Sequence, residues 1–338
     1  MNVSGLSTRA RVAVLVAAVV VLAAAGTVYV LRARAETPAA APRLTPGATP
    51  APSATALEPG ALMTVGAGPA SDSGMVRVAP GRGEGPARTT GLRCKRFYAA
   101  AGTGVCLRVG ETLTIGSEAI VLDDHLREVR RVALAGIPSR ARVSASGRMV
   151  AWTFFVSGDS YLSVGFSTRA GILDTRTGTL VKSLEDFTLD KDGRIHSAVD
   201  LNYWGVTFAS DDNRFYATVS TGGRTYLVQG DFAARKMRVL RENAECPSLS
   251  PDGTRLAYKK RVGGASDPWR LYTLDLASGR ETRLAEPANV DDQAAWFDDH
   301  TVMYSKLRGD SSDVWAVPAD GSGRPELLAR DAFSPAAT

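Results

Sequence analysis

The sequence predicts an all-β protein, a six-bladed β-propeller, and two observations lead to this prediction. First, a turn motif recurs about every forty to sixty residues, and its best copy is residues 250–253, Ser-Pro-Asp-Gly, followed by an apolar strand. Second, each good copy is followed by two further short segments with strand patterning. Units of four short strands at this period have the size of propeller blades.

The turn motif predicts a hairpin between the first two strands of each blade. An Asp-Gly pair flanked by alternating apolar residues favours a tight turn, because both central positions need backbone angles that these residues tolerate. Weaker copies precede apolar segments elsewhere in the chain, at residues 99–102, 144–147, 209–212 and 296–299. Each copy therefore predicts the start of one blade.

The complete strand order is clearest in the repeat that contains residues 250–253. There the sequence predicts strands over residues 247–250, 255–259, 269–276 and 281–285. The last two strands of this order recur as 313–317 with 325–329 and as 170–174 with 179–182.

The two ends of the repeat region predict how the ring closes. Residues 334–338 are a further copy of a first strand, while residues 61–65, 74–78 and 85–89 are three strands without one. We expect residues 331–338 to pair with the beginning of this region and complete a sixth blade. Closure of this kind removes exposed sheet edges, which invite aggregation.

The pattern Ser-Pro-Asp-Gly-x-x-Leu-Ala, with the later strand Leu-Tyr-x-Leu-Asp at 271–275, resembles the repeat of the TolB-like propeller family, a WD40-like repeat. The resemblance covers residues 61–338 and implies a six-bladed propeller. TolB itself carries an α/β domain before its propeller. In this sequence a hydrophobic segment and a linker occupy that place, so the resemblance implies the fold and not the role of TolB.

The first sixty residues predict the compartment. Residues 12–31 carry no charge, and twenty helical residues span about 30 Å, enough to cross a membrane. We expect a membrane anchor with residues 1–11 in the cytoplasm and the propeller outside it; the alternative is a secretory signal cleaved after Ala35. Residues 36–60 contain six prolines and seven alanines and predict an extended spacer.

The charge distribution argues against a nucleic-acid partner. The chain has a net charge of +5, but residues 61–338 contribute only +2. A nucleic-acid-binding protein would concentrate basic residues on one face.

Three cysteines outside the cytoplasm predict one disulfide bond and one remaining thiol. Cys94 and Cys106 are favoured as the pair, because they lie on adjacent strands of one hairpin. They are about three positions out of register, so we expect a β-bulge to bring them together. Cys246 is then a buried residue or a free thiol. The cysteines lack zinc-site spacing, and we expect no cofactor and no metal.

The sequence lacks a Gly-x-Ser-x-Gly elbow, a Gly-x-Gly-x-x-Gly motif, a P-loop and a calcium-binding loop. The candidate site is therefore a binding surface formed by loops. In a propeller, the loops between blades and those joining second to third strands gather on one face, here called the funnel face. Basic residues precede blades two and three and acidic ones precede blades five and six, which suits a peptide or another zwitterionic partner; ordinary solvated loop charges are the alternative. The insertion 187–204 and the loop 157–168 favour a binding surface. The candidate partner-binding residues are Arg93, Arg96, Arg140, Tyr161, His196, Asp200, Asn202, Tyr203, Trp204, Glu245, Asp291, Asp292 and Gln293.

These observations predict a membrane-tethered, extracytoplasmic and monomeric propeller that binds a protein or peptide of the cell envelope without catalysis. One alternative is a propeller enzyme, such as a lactonase, lyase or glycan-acting hydrolase, that uses funnel carboxylates such as Asp200 and Asp291, with or without calcium. Another alternative is a sensor of an extracytoplasmic ligand.

Overall fold

The computed structural model describes Arg9 and residues 54–69, 72–110, 116–156 and 167–338. Residues 51–338 form one compact unit with six β-sheets, so the predicted all-β, six-bladed propeller is confirmed. The predicted anchor at 12–31, most of the spacer and Tyr161 lie outside the described residues. Within the described part of the chain, no helix is long and apolar enough to cross a membrane.

Five of the six blades have the four antiparallel strands that the sequence predicts, with the first strand innermost. The first strands of successive blades contact one another in a closed ring around the axis. The strands are β4 Arg96–Ala100, β5 Thr103–Arg108, β6 Ser117–Leu122 and β7 Glu128–Leu134 in blade two; β8 Ile137–Val143, β9 Met149–Val156, β10 Ser167–Asp174 and β11 Leu180–Val181 in blade three; β18 Glu245–Leu249, β19 Arg255–Arg261, β20 Trp269–Asp275 and β21 Glu281–Arg283 in blade five; β22 Ala295–Asp298, β23 Thr301–Arg308, β24 Ser311–Pro318 and β25 Glu326–Ala329 in blade six.

Blade one combines both ends of the propeller region. Its strands, from the axis outward, are β26 Ala332–Ala337, β1 Leu62–Gly66, β2 Met75–Ala79 and β3 Arg88–Arg93. Strand β26 pairs antiparallel with β1 from Leu62 opposite Ala337 to Gly66 opposite Ala332. The Ser334 hydroxyl donates to the Phe97 carbonyl at 2.8 Å and accepts from the Phe97 amide at 3.2 Å, which ties blade one to blade two.

Blade four has two strands more than the sequence predicts. Its four standard strands are β14 Asn202–Phe208, β15 Arg214–Thr221, β16 Arg224–Asp231 and β17 Lys236–Glu242, and β12 Thr188–Lys191 and β13 Arg194–His196 extend its outer edge. Residues 188–196 of the insertion 187–204 are therefore strands of this sheet rather than part of a loop. The cause is apolar packing: Leu189 is buried, and the buried Phe187 ring meets Phe215 edge-on at 5.6 Å.

The best copies of the recurring motif are explained by the hydrogen bonds inside the first turns of blades five and three. The Ser250 hydroxyl accepts from the Arg255 amide at 3.0 Å, and the Asp252 carboxylate accepts from the Thr254 amide at 3.0 Å. Gly253 has φ +71°, a conformation that favours glycine. In blade three, Ser144 accepts from the Met149 amide in the same way, at 3.0 Å. The motif is thus a set of turn-forming groups.

A disulfide bond joins Cys94 and Cys106, the pair that the sequence favours, with their Cα atoms 5.4 Å apart. The expected bulge is wrong, because the ladder between β4 and β5 is regular from Arg96 onward. Instead, the chain bends at Lys95, whose amide donates to the Leu107 carbonyl at 2.7 Å. Cys246 is a free, buried thiol.

Deletion of residues 332–338 should destabilise the propeller strongly, although short terminal deletions are usually tolerated. The deletion removes the innermost strand of blade one and exposes the edge of β1. Thermal unfolding followed by circular dichroism should show a large fall in Tm, and an added peptide of sequence 331–338 should recover part of it. A Tm within about 2 °C of the intact chain, which for a domain of this size corresponds to roughly 1 kcal/mol, would contradict this role of β26.

Thiol counting should find one free cysteine per chain in unfolded, non-reduced protein and three after reduction. In the folded protein the one thiol should react slowly, because Cys246 is 1% exposed and burial raises its pKa. A thiol-reactive dye in the presence and absence of denaturant makes this measurement. Three reactive thiols without reductant would exclude the disulfide bond.

Candidate functional site

The funnel face contains a large cavity between the loops of blades one, two and six and the segment that leads from blade five to blade six. It has a volume of about 1000 Å³, and its lining includes Lys95, Arg96, Asp292, Lys306 and Leu307. Lys95 is exposed and Leu307 is 82% exposed, so both lie at its accessible rim. A cavity of this size accommodates a ligand larger than a single residue.

Arginine side chains from two inner strands converge at the axis, beside this cavity. Arg96 lies in β4, and Arg140 and Arg142 lie in β8. The guanidinium groups of Arg96 and Arg140 are 4.0 Å and 3.8 Å from the same carboxylate, Asp292. The basic and acidic sides that the sequence places opposite each other are therefore in contact. Burial lowers the pKa of Arg96, and the charge of Asp292 opposes this effect.

A second cavity of about 270 Å³ lies between blades three, four and five and is lined by Arg140, Trp204, Glu245 and Asp291 among others. At its centre is Lys259, whose side chain is only 6% exposed. Its ammonium lies 3.9 Å from the Glu245 carboxylate, forms an ion pair with Asp291 and is 4.2 Å from the centre of the Trp269 ring. Burial raises the pKa of Glu245, an effect that the charge of Lys259 partly offsets.

Three of the predicted binding residues hold the fold together. Asn202 is fully buried and accepts from the Thr168 amide and hydroxyl at 2.9 and 2.6 Å. Gln293 donates to the carbonyls of Val206 and Pro247 at 3.1 and 2.9 Å, across two blades. Tyr203 is 1% exposed in the apolar core, and this burial raises its pKa. Its ring packs in the core, so Tyr203 is not exposed to a partner on the funnel face.

The other predicted residues lie at the edges of blades. Arg93 donates to the Ser73 carbonyl at 2.7 Å. Asp200 accepts from the Thr221 hydroxyl at 2.9 Å and from the Gly222 amide at 2.7 Å, which lowers its pKa; His196 is 3.1 Å from the same hydroxyl. Tyr161 lies outside the described residues. The structure thus brings together Arg96, Arg140, Trp204, Glu245, Asp291 and Asp292, but not Arg93, His196 or Asp200.

Sequence reasoning missed Lys259. The turn at 250–255 sets a register that would place Lys259 opposite Cys246, but a bulge between Glu245 and Ser248 shifts it to face Glu245. Cys246 has φ +51° at this bulge. A buried lysine opposite a buried glutamate was therefore not predictable from strand alternation alone.

Comparisons with known proteins give a structural likeness only: no family model and no curated protein matches the sequence. Among solved structures, TolB from Acinetobacter baumannii superposes with a TM-score of 0.60 at 18% identity, over 82% of this chain and 66% of that one. A chain in a nidogen/laminin complex superposes with a TM-score of 0.54 at 12% identity, over 82% and 98% of the two chains.

This chain has a TolB-like propeller fold. The resemblance inferred from the Ser-Pro-Asp-Gly repeat is thus confirmed at the level of the fold. The chain spans 66% of the length of the TolB that it matches, so similarity of fold does not extend to the whole of that protein.

Replacing Lys259 with Met should destabilise the protein by about 3 kcal/mol at pH 7, because it leaves Glu245 buried without its nearby positive charge. The loss should shrink as pH falls: an acid whose folded pKa is raised destabilises only while it is ionised. Denaturant unfolding at pH 7 and pH 5 measures both effects. The double variant Lys259→Met, Glu245→Gln should recover most of the stability, and equal losses at both pH values in the single variant would contradict this account.

Proposed function

We propose that this protein is a membrane-tethered, extracytoplasmic propeller that binds a protein or peptide partner of the cell envelope through the funnel face, without catalysis. The observation that carries the proposal is the cavity of about 1000 Å³ at the funnel mouth, with Lys95 and Leu307 at its rim. Its wall combines charged, hydroxyl and apolar groups, a mixture that suits a polypeptide ligand better than a small apolar one.

The fold similarity supports protein binding as the general role. One of the propellers that it resembles belongs to a nidogen/laminin complex, and another is TolB. Because both likenesses are of fold alone, they support the kind of role and do not identify the partner.

Two features support an extracytoplasmic location. The Cys94–Cys106 disulfide bond is typical of oxidising compartments. The uncharged segment 12–31 has the length of a membrane span, and the basic residues before it favour a cytoplasmic N-terminus. Membrane tethering predicts that the full chain remains in the membrane fraction after a high-salt wash.

The enzyme alternative needs funnel carboxylates, such as Asp200 and Asp291, that act together on one substrate. Asp200 instead caps a turn of blade four, and Asp291 is paired with Lys259 in the second cavity. General acid–base catalysis needs both groups within reach of one substrate, and these contacts hold them in different parts of the fold. These contacts favour the binding role over the enzyme alternative.

Capture from envelope extracts tests the proposed function. Full-length, detergent-solubilised protein should retain a specific envelope protein, and Lys95→Glu should reduce its recovery at least about fivefold, because a charge reversal at a rim weakens binding by roughly 1 kcal/mol. Lys236→Glu is the matched control: Lys236 is also exposed but lies in β17, beside the turn on the opposite face.

Recovery by Lys236→Glu should equal that of the unchanged protein. If both charge reversals reduce recovery equally, or if neither does, the funnel face is not the partner surface. Circular dichroism and Tm of both variants establish that the propeller is folded in each case.

A further inference from the structure

The arginine cluster at the axis, defined by Arg96, Arg140 and Arg142, has more positive charge than its surroundings neutralise. Asp292 is the carboxylate that contacts Arg96 and Arg140, and its distances of 4.0 and 3.8 Å are longer than direct hydrogen bonds. Asp291, next in the chain, is engaged by Lys259. Arg96 and Arg140 thus share one close carboxylate, and Arg142 has no ion pair among the described residues, so the three guanidinium groups and Asp292 together leave an excess of two positive charges.

Arg142 is the member of this cluster with a structural role. It is 5% exposed, donates to the Ala294 carbonyl at 2.8 Å and stacks on Tyr98 with its guanidinium carbon 4.3 Å from the ring centre. Arg140 donates to the carbonyl of its neighbour Ser139 at 3.0 Å. Arg96 lies 5.2 Å from the centre of the Phe333 ring. These contacts hold the arginines in place without neutralising them.

Several polar atoms of the cluster are buried without a hydrogen-bond partner among the described residues. They are the Nε atoms of Arg96, Arg140 and Arg142 and one carboxylate oxygen of Asp292. Buried polar groups are nearly always hydrogen-bonded, and arginine remains charged at any physiological pH. The cluster therefore has unused donors and one unused acceptor at the same place.

The cluster is also accessible from the funnel mouth. A small void of about 20 Å³ lies among Arg96, Arg140 and Asp292 at the axis. Arg96 and Asp292 also line the cavity of about 1000 Å³, and Arg140 also lines the cavity of about 270 Å³. A ligand in the large cavity can therefore reach Arg96 and Asp292 directly.

Resting on the proposed function, we propose that the axial arginine cluster is the anchoring subsite for a carboxylate of an acidic peptide segment. A carboxylate is planar and matches the paired donors of a guanidinium group, which makes arginine the preferred residue for binding it. A main-chain amide of the same peptide donates to the free oxygen of Asp292. Inorganic phosphate also carries OH donors at neutral pH, but it would fill little of the adjoining cavity of about 1000 Å³, so the size of the cavity favours a peptide.

Binding of short peptides to the purified full-length protein tests this inference. The probes are acetyl-tetraglutamate amide and its uncharged counterpart, acetyl-tetraglutamine amide, measured by calorimetry at low ionic strength. We expect the glutamate peptide to bind more tightly, and Arg96→Gln or Arg140→Gln to weaken it roughly tenfold or more, as expected for loss of a charge-assisted hydrogen bond. Arg280→Gln, an exposed position on the opposite face, should leave its affinity unchanged.

Asp292→Asn is the decisive variant. It keeps a carbonyl oxygen as acceptor but removes the negative charge that competes with the ligand, so binding of the glutamate peptide should become tighter. A purely structural role for the Asp292 ion pairs predicts the opposite, namely a loss of binding together with a loss of stability. If Arg96→Gln does not fold, Arg96→Lys keeps the charge without the paired donors and should show an intermediate affinity.

Three results would overturn the inference: equal affinity for the glutamate and glutamine peptides, equal weakening by Arg280→Gln, or weaker binding in Asp292→Asn. Tighter binding of inorganic phosphate at matched ionic strength, with the same dependence on Arg96, would assign the subsite to phosphate instead of a peptide. If the glutamate peptide does not bind but a Lys95-dependent partner is still captured, only the arginine subsite is ruled out. If the glutamate peptide binds but no envelope partner is captured, the proposed function is ruled out and the arginine subsite is retained.

Discussion

Pairing between β26 and β1 holds the ring closed, and the arrangement of the axis depends on it. These strands come from opposite ends of the propeller region, and their ladder gives blade one its innermost strand. The Ser334 hydroxyl on β26 donates to the Phe97 carbonyl in blade two, and the Ser334 amide donates to the Ser305 hydroxyl of blade six at 3.1 Å. One serine therefore fixes three blades around the axis, and the inner strands that carry Arg96 and Arg140 are positioned by the same closure.

The inner strands combine two kinds of surface. Between blades they bury apolar side chains such as Phe97, Val143 and Tyr203, which are at most 3% exposed and supply the packing energy. Toward the funnel they bury polar groups, including Arg142, Asn202 and Glu245, and Glu245 faces Lys259 of the next strand. Burying such groups costs free energy unless they are paired. Asn202 is hydrogen-bonded and Lys259 is paired with acids, whereas the axial arginines share a single close carboxylate.

The fold could be predicted largely because its turns are local. Ser250, Asp252 and Gly253 form a turn from their own neighbours, so a short motif suffices to locate a blade. The two outer strands of blade four were not predicted, because they depend on residues distant in sequence. Phe187 packs against Phe215, 28 positions away, and Leu189 pairs with Met237, 48 positions away. The bend at Lys95 and the bulge at Cys246 likewise depend on tertiary packing.

The candidate site was predicted in part, for the same physical reason. Strand order indicates which residues reach the funnel end, and this put Arg96 and Arg140 on one side of the funnel and Asp292 on the other; in the structure both guanidinium groups lie within 4.0 Å of the Asp292 carboxylate. It does not indicate which way a side chain faces after a bulge, so Tyr203 was expected at the surface and Lys259 was missed. Cys246 adopts φ +51° where Glu245 and Arg140 line the same cavity. The irregular residue Cys246 thus lies in the same cavity wall as the paired charges around Lys259 and as Arg140 of the axial cluster.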